Sequence, residues 1–97
     1  MSLESAFQSK LKKQLKEMFP GCMVFKMDTR DNPGVPDLLI LYHDKWATLE
    51  CKRESNASKQ PRQPYYVNKM NEMSFSAFIF PENQKEVLDD LRRAFGA

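Results

Sequence analysis

Cysteine and histidine are scarce in this chain: Cys22, Cys51 and His43 are all that 97 residues contain. Two cysteines make neither a disulfide framework nor a zinc site. His43 falls in an expected hairpin turn and takes no catalytic role. No apolar run is long enough to cross a membrane, and no secretory leader is recognisable, so a reducing cytoplasm is the expected compartment. Charge of one sign is scarce too. The net charge is +2, so the chain is not a polycation that holds DNA by charge alone. It has no internal repeat, no low-complexity tract and no appended helix-turn-helix or zinc finger to read a base sequence.

What remains is a folded composition. The apolar fraction of 41% is ordinary for a globular protein and excludes disorder. Residues 1–97 make one small domain, of a size that buries a modest share of its surface. The basic residues are unevenly spread. Lys10, Lys12, Lys13 and Lys16 cluster early, and Lys52, Arg53, Lys59, Arg62 and Lys69 cluster in the middle. Such patches suit either a polyanionic partner or plain solvated helix faces.

Periodicity supplies the elements. Leu3, Phe7, Leu11, Leu15 and Met18 recur at helical spacing, with Ser2 as N-cap and Pro20-Gly21 as the stop. Met23 to Met27 reads as a short strand. Asp37 to Tyr42 and Trp46 to Lys52 read as two more, joined by a turn at His43-Asp44-Lys45. A helix is expected from Pro61 to Met73, since proline is tolerated in a first turn. Ser74 to Phe80 is a strand. Asn83 and Glu86 resemble a capping box that opens a last helix, buried through Val87, Leu88, Leu91 and Phe95. The expected class is α/β: a mixed four-stranded sheet flanked by helices, in the order α-β-β-β-α-β-α. Strands one to three should be antiparallel, and the crossover helix allows the fourth to run parallel to a neighbour.

Two short strings carry the chemistry. Pro36-Asp37 opens the apolar run Leu38-Leu39-Ile40-Leu41. Thirteen positions after Asp37, Glu50-Cys51-Lys52 closes the run Trp46-Ala47-Thr48-Leu49. Strand alternation puts Trp46, Thr48, Glu50 and Lys52 on one face and Ala47, Leu49 and Cys51 on the other. Cys51 is then a small buried apolar residue. A hairpin brings Asp37 to the Glu50 end. Buried carboxylates need compensation, here a salt bridge from Glu50 to a basic residue or a cation shared with Asp37. Two acids sharing a divalent cation, with a lysine beside them, can cleave a phosphodiester.

Pro36-Asp37 with Glu50-Cys51-Lys52 resembles the core of the PD-(D/E)xK nuclease superfamily, which has a restriction-endonuclease-like core. The run from Asn32 to Asp37 and the segment Arg62-Gln63-Pro64-Tyr65-Tyr66 resemble its VRR-NUC branch, and the element order agrees over nearly the whole chain. The resemblance implies Asp37 and Glu50 as metal ligands, with the backbone carbonyl of Cys51 as a further one. It implies that Lys52 orients the attacking water or stabilises charge on the phosphate. Glu4 matches the family's early glutamate, although an acid at a helix N-terminus is also explained by the helix dipole. Gln63 matches the family's helix glutamine, with simple exposure as the plain alternative and Gln60 as a rival. Lys59 and Arg62 would bind backbone phosphates or stand solvated. Cys51 replaces the usual branched apolar residue, and Pro64 leaves the helix start open.

The implied function is a magnesium-dependent DNA endonuclease, with manganese able to substitute. Stand-alone domains of this branch, typical of phages, resemble Holliday junction resolvases, which implies a homodimer acting on branched DNA. Two alternatives stand beside it. One is a non-catalytic nucleic-acid-binding module on the same fold. The other is a repair or restriction-type nuclease that needs a partner protein.

Overall fold

A computed structural model describes residues 3–97. Helix α1 spans Leu3–Met18. Leu11 and Leu15 are fully buried, and Phe7 and Met18 pack against the core. Two details depart from the periodic reading. Leu3 is 75% exposed, and Gln8 is buried where an apolar residue would be usual. The expected N-cap, Ser2, lies outside the described residues. Gly21, at φ +89°, turns the chain after the helix.

Strands β1 (Met23–Lys26), β2 (Leu38–Tyr42) and β3 (Lys45–Cys51) pair antiparallel in sequence order. Lys45 belongs to β3 rather than to the turn, since it pairs with Tyr42. Helix α2 (Gln63–Met73) crosses to β4 (Phe75–Ile79), which lies parallel to β3. Helix α3 spans Gln84–Phe95. The sheet order is β1-β2-β3-β4, so the expected α/β class and element order are those observed.

Two helix starts differ from expectation for local reasons. Pro61 sits in a separate turn, closed by the Gln63 N–H donating to the Gln60 carbonyl at 3.0 Å. α2 therefore begins at Gln63, and Pro64 occupies its first turn, where a missing N–H costs nothing. Asn83 does stand at the N-cap of α3 but makes no capping bond. Its Oδ1 instead accepts the Phe80 N–H at 2.8 Å, and its Nδ2 donates to the Phe78 carbonyl at 3.0 Å. The side chain ties off the end of β4, so no capping box with Glu86 forms.

The apolar core lies on one face of the sheet. Leu38, Ile40, Ala47, Leu49, Cys51 and Ile79 meet Leu11 and Leu15 of α1 and Val87, Leu88, Leu91 and Phe95 of α3. Phe19 closes one end of it, with ring centroids 5.1 Å from Phe95 and 5.3 Å from Tyr42. Each buried leucine contributes roughly 1.5–3 kcal/mol to this face. On the opposite face α2 packs over β4 and β3, which leaves Met23 and Phe25 of β1 exposed. There the buried residues are Thr48, Glu50 and Ser76, with Gln63 and Val67 from the helix.

Candidate functional site

The hairpin places the first two acids. β2 and β3 are in register with Leu38 opposite Leu49, so one step further Asp37 meets Glu50. The Asp37 backbone is itself held in the sheet, because its carbonyl accepts the Met27 N–H at 2.7 Å. Its side chain is fixed too. Oδ2 accepts the Cys51 N–H at 3.0 Å, which ties the carboxylate to the strand carrying Glu50.

The loop before Asp37 is set by Gly34. Its φ is +98°, a conformation that L side chains rarely adopt. A Cβ there would also stand 2.6 Å from the Arg62 Cβ, immediately before α2. The glycine thus lets the Asn32–Gly34 loop lie against the start of α2, bringing Asp37 and Gln63 to one place.

Helix α1 supplies the third acid. Glu4, Asp37 and Glu50 each offer a carboxylate oxygen, all within 4.8 Å of one another. Glu50 is 2% exposed. Its Oε2 accepts a hydrogen bond from Gln63 Nε2 at 3.0 Å and lies 3.7 Å from Lys52 Nζ. Gln63 is held in turn, since its Oε1 accepts the Gln60 N–H at 2.9 Å. That bond orients the amide so that its nitrogen faces Glu50. Both neighbours of Glu50 therefore engage one oxygen. The other, Oε1, is buried with no hydrogen-bond partner among the described residues.

The electrostatics follow from this packing. Burial, followed by the adjacent Asp37 carboxylate, pushes the Glu50 acid up to about 8, against a smaller pull from Lys52. The Cys51 thiol is pushed well above its ordinary value by burial and then by Asp37, so no thiolate forms there. Its side chain belongs to the core, as strand alternation implied.

A buried carboxylate oxygen without a partner, in a group of three acids, is a donor set of the hard-oxygen kind. It fits magnesium or manganese better than a soft metal. The residues that would hold such an ion are Asp37 and Glu50, with Glu4 beside them. A cleft of about 490 Å³ opens on the cluster, lined in part by Glu4, Asp37, Glu50, Gln60 and Gln63. A second hollow of about 250 Å³ adjoins it at Glu4 and is lined by Lys52, Arg53 and Ser58.

Five residues singled out from sequence, Glu4, Asp37, Glu50, Lys52 and Gln63, thus come together. Gln63 is buried, not exposed, and Gln60 supports it through the backbone rather than replacing it. Lys59 and Arg62 stand further out. Lys59 Nζ lies 5.1 Å from the Phe78 ring centroid, and Arg62 is exposed beside Gly34. Sequence reasoning passed over Arg30, which lines the main cleft while paired with Asp28 at 2.6 Å. Nothing in the local sequence marks that loop arginine. No family model, curated protein or solved structure matches the chain.

Proposed function

We propose that this protein is a magnesium-dependent, structure-selective DNA endonuclease of the PD-(D/E)xK type, in its VRR-NUC branch. In this reading a homodimer hydrolyses phosphodiesters at four-way junctions. The observation that carries the proposal is the orphaned Oε1 of Glu50 within the Glu4–Asp37–Glu50 group. An unpaired buried carboxylate oxygen is costly, and a divalent cation is the partner that best removes the cost.

Asp37 and Glu50 are the proposed ligands, with the Cys51 backbone carbonyl beside them. When bound, the cation offsets phosphate charge and makes a water more acidic at neutral pH. The remaining work falls to the chain. Gln63 fixes the Glu50 carboxylate by engaging Oε2, which reserves Oε1. Lys52, only 11% exposed and held by Glu50, keeps its ammonium at the site. There it orients the attacking water or stabilises charge on the phosphate. Lys59 and Arg62 bind flanking phosphates.

The test is cleavage of labelled four-way junction, flap and linear duplex by purified protein, with magnesium, manganese or chelator. The expected result is metal-dependent, paired cutting of the junction. Asp37→Ala, Glu50→Ala and Lys52→Ala should each lower the rate at least ~100-fold with an unchanged far-UV spectrum. Equal cutting of all three substrates would keep the nuclease and remove the junction preference. Binding without cutting under either metal would favour the non-catalytic module.

A further inference from the structure

Helix α2 turns Gln63 and Val67 inward, and its other side faces outward. Arg62, Tyr65, Tyr66, Lys69 and Met73 recur three or four positions apart and form one row along that outer side. Tyr65 is 62% exposed, Arg62, Lys69 and Met73 are exposed as well, and Tyr66 is half-buried. The two tyrosine rings lie against each other, with centroids 5.4 Å apart and planes at 71°, and neither belongs to the apolar core. The row starts at the cleft. Arg62 stands against Gly34, and both Gly34 and Gln63 line the cleft over the acidic cluster.

We propose that this outer row of α2 is a stacking platform for an unpaired base, with Tyr65 carrying the base and Arg62 and Lys69 holding phosphates on either side of it. That the polymer is DNA rests on the nuclease reading above. The stacking itself does not depend on cleavage, because no residue of the row belongs to the acidic cluster.

Chemistry selects the occupant. A tyrosine ring offers a flat face at little entropic cost, and every nucleobase has a face to set on it. Tyr65 stands between two cations, three residues after Arg62 and four before Lys69. Those positions are about 10 Å apart along the axis at ~1.5 Å per residue, which leaves room for a base between two phosphate contacts. Glu72 is the only acid in α2 and lies at the end away from the cleft. Its 3.6 Å pairing with Lys69 is exposed to water, so a phosphate displaces it at small cost. A second copy of this chain is the poorer occupant, because a two-fold contact would set Arg62 and Lys69 against the same cations.

The platform has a consequence for the choice among DNA structures. In a continuous duplex the bases are paired and stacked on one another, and freeing one is costly. At a branch point or in a single-stranded flank the face of a base is already accessible. The row therefore gives structure selectivity a physical cause that the acidic cluster, which meets only phosphate, does not supply.

The experiment is fluorescence anisotropy of labelled oligonucleotides with the full chain in the presence of chelator. The probe is oligothymidylate of about 12 nucleotides, within the ~4–16 that single-strand binding folds cover. It is compared with an equally long strand of abasic residues and with a duplex of the same length. Wild type should bind the oligothymidylate about five-fold or more tighter than the abasic strand. Tyr65→Ala should remove that margin, Tyr65→Phe should keep it, and neither should change affinity for the duplex. Tyr65 is exposed, so the far-UV spectrum should not change. Met23→Ala, at an exposed position on the opposite edge of the sheet, should bind as wild type does. Equal binding of oligothymidylate and abasic strand would mean attraction by charge alone and would overturn the proposal. So would absence of binding to the oligothymidylate, a margin that survives Tyr65→Ala, or an equal loss for the duplex. No metal is present, so a chain that never cuts DNA still shows the margin if the platform is real. Metal-dependent cutting by a chain without that margin would keep the nuclease and remove the platform alone.

Discussion

The face of the sheet under α1 and α3 and the face under α2 are built from the same strand, β3, yet they bury opposite chemistry. Ala47, Leu49 and Cys51 point to the first and join a continuous apolar cluster. Thr48 and Glu50 point to the second, where they meet Ser76 and Gln63. Thr48 is satisfied there by a 2.7 Å hydrogen bond to Ser76 Oγ. Among the described residues, Glu50 is satisfied on one oxygen only. The first face accounts for stability through removal of apolar area from water. The second gives some stability up in order to hold Glu50 buried beside the Asp37 carboxylate. Two residues adjacent in sequence therefore respond to substitution in opposite directions.

The largest effect on stability should come from the apolar face. Leu49→Ala opens a cavity beneath the sheet and should cost about 2–5 kcal/mol, read as a lower denaturation midpoint at unchanged m-value. Glu50→Gln should do the reverse. It keeps the shape of the side chain and removes the charge, so the cation-free protein should gain roughly 3 kcal/mol near pH 8. The sign follows from the raised acid. Between about 4.5 and about 8 the folded protein holds a proton on Glu50 that the unfolded chain has released. Wild-type stability should therefore fall as pH rises through that window, and the fall should vanish in Glu50→Gln. A wild type whose stability did not decline there would break the contrast between the two faces.

A smaller effect isolates the loop that joins the site together. Gly34→Ala meets both an unfavourable φ and a clash with Arg62, and should cost about 1–3 kcal/mol. Because the strain falls between the Asp37 loop and α2, cation affinity should drop along with stability. Loss of stability alone would show that the loop does not position Asp37.

These contrasts were legible in the sequence to different depths. Period-two alternation placed Glu50 with Lys52 and Cys51 with the core, because a strand leaves a side chain only two directions. Asp37 followed from the hairpin, since pairing Leu38 with Leu49 leaves no other neighbour for it. Glu4 and Gln63 were reachable only through resemblance: each comes from a helix, and how a helix packs on a sheet is not a local property. The Gln60–Gln63–Glu50 chain of hydrogen bonds was not legible, because it depends on Pro61 and Pro64 dividing that segment into a turn and a helix. Asn83 shows the same limit. Its residue type suits a cap, but two backbone groups at the end of β4 compete for it and prevail. The exposed turn at Leu3 and the open face of β1 and β2 depend on where cover ends, which periodicity does not state.

The most direct test of the central claim is cation binding to the purified protein, followed by calorimetry with magnesium and with manganese at several pH values. If Glu50 Oε1 is reserved for a cation, wild type should bind one, affinity should rise with pH up to about 8 as the Glu50 proton is displaced, and Glu50→Gln should bind far more weakly with no such slope. Absence of binding to wild type, or binding that Glu50→Gln leaves unchanged, would contradict the account.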